Sequence, residues 1–121
     1  MKNHILVVED DKDLREILGE SLRLEGFDVV DVENGEAAMR HLGTGARPCV
    51  ILLDLMMPVM DGWTFRREML KDQKLAAIPV VVMTAAGRKS VDAIPVDAML
   101  EKPLEIDTVL DVVGGYCPHE P

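Results

Sequence analysis

Aromatic residues are nearly absent: two Phe, one Trp and one Tyr in 121 residues. The core must therefore be built from Val, Ile, Leu, Met and Ala. No apolar run approaches the ~20 residues needed to span a bilayer, which excludes a helical membrane protein. Met1-Lys2-Asn3-His4 leads straight into a strand pattern, leaving no room for a signal peptide, so a cytoplasmic protein is expected. Positive charge is short, with 13 Lys and Arg against 22 Asp and Glu, a formal charge of −9. A nucleic-acid binder needs a basic face to displace counterions, so direct nucleic-acid binding is excluded. The two cysteines, Cys49 and Cys117, share no metal-ligand spacing and are expected to be reduced thiols of a cytosolic protein. His4, His41 and His119 are scattered along the chain, with no paired arrangement to suggest zinc.

The apolar share of 48% implies a folded globular chain. Its length suits one domain over residues 1–121, with 116–121 as a tail. Short apolar runs alternate with amphipathic stretches. Ile5 to Val8 is a buried strand; Leu14, Ile17, Leu18, Ser21 and Leu22 recur at helical spacing, and Gly26 provides a left-handed terminus. Phe27 to Val32 predicts a second strand. Asn34 caps a helix running through Leu42. Val50 to Leu53 is apolar on both faces, as a central parallel strand requires. A loop with Pro58 and Gly62 leads to a helix turning Phe65, Met69 and Leu70 inward. Val80 to Met83 is another doubly buried strand, Arg88 to Ile94 a short fourth helix stopped by Pro95, Met99-Leu100 a brief strand, and Leu104 to Val113 a last helix. Five strand–helix alternations predict a doubly wound α/β fold, a parallel sheet covered on both faces by right-handed crossovers.

Ligands of such sheets bind outside the carboxyl ends of the strands. Glu9, Asp10 and Asp11 follow the first strand, Asp54 ends the third, Thr84 the fourth, and Lys102-Pro103 follow the fifth. Taken singly, each has an ordinary explanation as a solvated loop, a helix cap or a turn. Their appearance together at one sheet edge does not. Two carboxylates ~4 Å apart repel by about 4 kcal/mol at an effective dielectric of ~20, so Glu9, Asp10 and Asp54 require positive charge. Lys102 supplies one unit. A carboxylate set without His or Cys points to Mg²⁺ for the rest. A carboxylate beside Mg²⁺, a hydroxyl and a lysine is equipped for phosphoryl transfer.

The blocks Ile5-Leu6-Val7-Val8-Glu9-Asp10-Asp11, Asp54-Leu55-Met56-Met57-Pro58-Val59-Met60-Asp61-Gly62, Met83-Thr84-Ala85 and Leu100-Glu101-Lys102-Pro103 resemble the signatures of bacterial two-component receiver domains, in the same order and over nearly the whole chain. The resemblance implies a flavodoxin-like (βα)5 sheet of strand order 2-1-3-4-5. It implies Asp54 as phosphoacceptor, Asp10 as a direct Mg²⁺ ligand, Glu9 as a ligand through water, and the Met56 carbonyl as a further ligand. Thr84 would hydrogen-bond the phosphoryl group, Lys102 would pair with it, and Pro103 would follow a cis peptide bond. The donor would be a phosphohistidine of a sensor histidine kinase or histidine phosphotransfer protein, and the output a shape change read by a downstream protein, effector domain or second copy. Departures from the family are Met99 at a switch position usually aromatic, Val59 where glycine is common, apolar Met56 and Ala86 at positions that tune phosphoryl loss, and a shortened fourth helix.

A receiver turns over no external metabolite; it catalyses only its own phosphorylation and dephosphorylation. Two other functions use related residues. A haloacid-dehalogenase-type phosphatase also employs Asp, Mg²⁺, Thr and Lys, but carries a second Asp where this chain has Met56. A phosphorylation-independent interaction module on the same fold would not need the full acidic set.

Overall fold

The computed structural model describes residues 4–85 and 94–118. Among the described residues ten elements follow in order: β1 (Ile5–Val8), α1 (Lys12–Leu24), β2 (Val29–Val32), α2 (Gly35–Gly43), β3 (Val50–Asp54), α3 (Gly62–Leu70), α4 (Gln73–Ala76), β4 (Val80–Thr84), β5 (Ala98–Glu101) and α5 (Ile106–Gly114). The strands form one parallel sheet in the order β2-β1-β3-β4-β5. The order and the doubly wound α/β architecture agree with expectation. The short helix expected over Arg88–Ile94 lies outside the described residues except for Ile94, which is buried in the core, and Ala86 also lies outside them.

Pleating sends alternate residues of each strand to opposite faces. On one face Leu6, Val8, Ile51, Leu53, Val80 and Val82 pack under Ala38 and Leu42 of α2 and Phe65 and Met69 of α3. On the other, Ile5, Val7, Val50, Leu52, Val81 and Met83 pack under Leu18 and Leu22 of α1 and Val109 and Val113 of α5. Each fully buried aliphatic side chain of this kind stabilises the fold by about 1.5–3 kcal/mol, so Val and Leu replace the missing aromatics through number.

Helix starts are set by short polar side chains. The carboxylate of Asp11 accepts from Leu14 N (3.1 Å), Asn34 Oδ1 from Ala37 N (2.8 Å) and Asp61 Oδ1 from Thr64 N (2.8 Å). Each satisfies an amide that the helix leaves unpaired. Gly26, at φ 96°, takes the left-handed conformation that ends α1. The helix α4 was not foreseen; Asp72, which caps it through the amides of Lys74 and Leu75, is its local signal.

Several expectations need correction. Regular pairing of β2 begins at Val29 and α5 begins at Ile106, each two residues later than expected. Ile17 (52% exposed) and Leu70 (38%) point outward; their spacing places them on the flanks of their helices' apolar stripes. Tyr116 and Cys117 are not part of a tail: Tyr116 packs against the core and Cys117 is 2% exposed. Cys49 and Cys117 are joined in a disulfide, with Cα atoms 5.5 Å apart. Cys49 precedes β3, and the chain leaving α5 returns to that same end of the sheet, a meeting across 68 positions that local spacing cannot reveal. His4 and His41 also meet, Nε2 to Nε2 at 2.8 Å with rings edge to face, because the last turn of α2 lies over the start of β1. Burial, then the neighbouring His4, pushes the His41 imidazole below its usual pKa.

Candidate functional site

Parallel register brings the acidic residues together. Val8 lies opposite Leu53, so Glu9 emerges beside Asp54; Thr84 lies opposite Glu101, and Lys102 N donates to the Thr84 carbonyl at 3.0 Å. Glu9, Asp54 and Thr84 are buried and Asp10 is exposed. One carboxylate oxygen from each of Glu9, Asp10 and Asp54 lies within 4.8 Å of the others, and among the described residues this is the one group of three that could hold a metal ion. Asp11 points away as the α1 cap, so the acidic triplet divides into two site residues and one structural residue.

Lys102 Nζ stands 2.8 Å from Glu9 Oε1 and 3.3 Å from Asp54 Oδ1. Burial works against its charge, but Glu9 and Asp54 outweigh that and hold the ammonium pKa above its usual value. Asp54 is pushed up to about 7, first by burial, then by Glu9 and its negative charge, against the opposing pull of Lys102. The pocket thus holds more negative charge than one lysine offsets. Glu9 Oε1, despite its close contact with the ammonium, has no aligned hydrogen-bond donor. A buried acceptor in an all-oxygen donor set suits a hard divalent cation.

The loops around the pocket are fastened by Arg15, Arg66 and Asp97, which the motifs did not single out, and by Gly62, which closes the second motif block. Arg15 Nη1 donates to the Glu9 carbonyl at 2.9 Å, and its Nε is 3.7 Å from Asp31; a position one helical turn beyond the Asp11 cap was the available signal. Gly62 N donates to the Leu55 carbonyl at 3.0 Å, and a Cβ on Gly62 would stand 2.5 Å from the Asp54 carbonyl oxygen. Arg66, buried in α3, donates from Nε to the Pro95 carbonyl at 2.8 Å. Asp97, which exerts a charge interaction on Arg66, accepts from Val80 N at 2.7 Å. The segment entering β5 is thereby fastened to both α3 and β4.

Met56 N lies 3.4 Å from Asp54 Oδ1, while the Met56 side chain is 64% exposed. Val59 has φ 69° in a three-residue turn closed by Met60 N donating to the Pro58 carbonyl at 2.8 Å. A β-branched residue is strained there. Met99 lies opposite Val82 and packs partly buried against the α2–α3 side of the core. The Lys102-Pro103 peptide is cis.

Residues 5–113 match the family model of the response regulator receiver domain. The chain belongs to this family. The receiver domain is 34% identical over 124 residues to the sporulation initiation phosphotransferase F of Bacillus subtilis, covering 98% of this chain and 96% of that one. It is 33% identical over 114 residues to the DNA-binding dual master transcriptional regulator RpaA of Synechocystis sp., covering 88% of this chain but 45% of the regulator. The receiver thus spans less than half of that longer relative. In structure it resembles the receiver domain of a sensor histidine kinase from Pseudomonas aeruginosa, solved with magnesium coordinated in its active-site cleft: TM-score 0.85 and 24% identity, covering 96% of this chain and 98% of that one. No described helix of the receiver is long and apolar enough to cross a membrane.

Proposed function

We propose that this receiver accepts a phosphoryl group on Asp54 from the phosphohistidine of a sensor histidine kinase or histidine phosphotransfer protein, and changes shape as a result. The observation that carries the reading is Asp54 itself: a buried carboxylate at the end of the central strand, 3.3 Å from Lys102 and within 4.8 Å of the carboxylates of Glu9 and Asp10.

A carboxylate oxygen of Asp54 attacks phosphorus in line; the N–P bond of the donor breaks as the new O–P bond forms, giving an aspartyl phosphate. Asp54 must be ionised to attack. Burial, and then Glu9, raises its proton affinity, and any cation accepted there lowers it again. Glu9, Asp10, Asp54 and the Met56 carbonyl would hold Mg²⁺, which when bound supplies positive charge to the oxygens of the transferring group. Lys102 pairs with those oxygens and Thr84 donates a hydroxyl hydrogen bond to one of them. Movement of Thr84 toward the phosphoryl group, followed by Met99 on the adjacent strand, is the shape change that a downstream protein reads. The domain acts on itself and on no external metabolite, and its place of action is the cytoplasm.

Incubation with Mg²⁺ and acetyl phosphate should add one acid-stable, base-labile phosphoryl group, seen as a single mass increment. Asp54→Asn should abolish it. Full labelling of that variant overturns the assignment.

A further inference from the structure

The end of the sheet opposite Asp54 carries its own reactive group. The two disulfide sulfurs differ in access: Cys117 is 2% exposed within the core, while Cys49 is partly exposed. A cavity of about 50 Å³ lined by both cysteines, His4, Phe27 and Pro118 adjoins them. The His4 carbonyl oxygen lies 3.3 Å from Cys49 Sγ. Sulfur carries no hydrogen while the bond is closed; once it is a thiol, that oxygen is an acceptor already in place. The backbone there is tied independently, Cys49 N donating to the same His4 carbonyl at 2.9 Å. Cys117, among apolar neighbours including Val109 and Val113, sits where a thiol packs as a small hydrophobe. Both oxidation states fit one backbone.

We infer that Cys49–Cys117 is a thiol–disulfide exchange site, opened by a dithiol reductant, and that its state decides whether the C-terminal end of α5 is tethered to the sheet. The thiolate of the reductant attacks the accessible Cys49 sulfur, the sulfur–sulfur bond breaks, and Cys117 leaves as a thiolate that takes a proton from water. The second thiol of the reductant, giving up its proton, then attacks the mixed disulfide and releases Cys49, which is protonated in turn. The protein gains two electrons and two protons, and the dithiol loses them in becoming a cyclic disulfide. What then holds the end of α5 is its own hydrogen bonding, Tyr116 N and Cys117 N to the Val113 carbonyl at 3.0 and 2.9 Å, together with side-chain burial. Cys49 and Asp54 stand at opposite ends of one strand, about 16 Å apart at the usual rise per residue. The exchange needs nothing from the carboxylate pocket, so its test is independent of phosphorylation.

The folded chain, purified without reductant, should resist a maleimide. After native incubation with millimolar dithiothreitol it should take one maleimide quickly at Cys49 and a second slowly at the buried Cys117, and diamide should restore resistance. Cys117→Ser should take one without reductant. Hydrogen exchange over residues 113–118 should quicken by about tenfold on reduction while residues 50–53 stay unchanged. The double variant Cys49→Ser/Cys117→Ser, checked for folding by circular dichroism, should show the same fast exchange. Labelling that requires denaturant despite dithiol, free thiols that diamide cannot close, or a bond found between chains on a non-reducing gel overturns the exchange site. Equal exchange in both states overturns the tether.

Discussion

Replacing Asp54 by Asn removes one carboxylate from a pocket that holds too many, and its effect on stability follows from the direction in which Asp54 is displaced. The folded state lifts this carboxyl from 3.8 to about 7, chiefly by burial and then by Glu9. A proton is therefore held more tightly by the folded chain than by the unfolded one. The stability this gives is complete below about pH 4 and is lost as pH rises toward 7. Each pH unit of displacement is worth about 1.4 kcal/mol, so the loss amounts to about 4 kcal/mol at most. Asn has similar volume and never ionises, and Lys102 keeps Glu9 at 2.8 Å as its partner. Urea denaturation in EDTA at several pH values between 4 and 8 should show variant and wild type with similar stability at the acid end. The variant should gain steadily above that, by about 2–4 kcal/mol at pH 8. Magnesium should narrow the gap by stabilising the wild type. Parallel curves for the two proteins across the whole range would refute the claim that Asp54 is held ionised at a cost.

Four further outcomes are expected. Val59→Gly should stabilise the domain by about 0.5–1 kcal/mol in urea, because relief of a left-handed β-branched residue exceeds the added freedom of the unfolded glycine; a destabilised variant would contradict it. Reduction of Cys49–Cys117, which closes a loop across 68 positions, should lower stability by about 4 kcal/mol or less, read as a lower urea midpoint with dithiothreitol present. Millimolar Mg²⁺ should raise the melting temperature of the wild type, and Asp10→Ala should lose most of that shift; a full shift in the variant would remove Asp10 from the metal set. Met56→Asn should shorten the lifetime of the phosphorylated form, measured by loss of the mass increment, because an exposed apolar side chain gives way to a group able to orient water beside Asp54.

The strands and the carboxylate pocket were legible because their signals are local. Val50 to Leu53 is apolar on both faces only as a central strand, and Asp54 follows at once; once the strands are parallel, Glu9, Thr84 and Lys102 have one edge to share. Within Glu9-Asp10-Asp11 the resemblance singled out Glu9 and Asp10 and left Asp11 without a role; its three-residue step to the amide of Leu14 is an ordinary capping pattern. The disulfide and the His4–His41 contact were missed for a different reason. Their partners are 68 and 37 positions apart, and spacing carries no information about which loops a crossover returns to the same sheet end. Arg66 escaped notice because a lone arginine in an amphipathic helix ordinarily faces water, and only the position of the Pro95 carbonyl shows why this one is buried.

The contact between Gly62 and the strand bearing Asp54 limits how this loop can diversify. A methyl group at Gly62 would lie 2.5 Å from the Asp54 carbonyl and 2.8 Å from Leu55 Cα, and both neighbours are backbone atoms, which no rotamer change can move aside. A randomised library across residues 56–62 selected for folding should therefore return almost any residue at the exposed Met56 and Val59 positions, yet only glycine at position 62. The first turn of α3 is in effect a mould for the end of β3. Changing the identity of the loop and preserving the aim of the carboxylate are separate problems, with one atom's width of clearance between them.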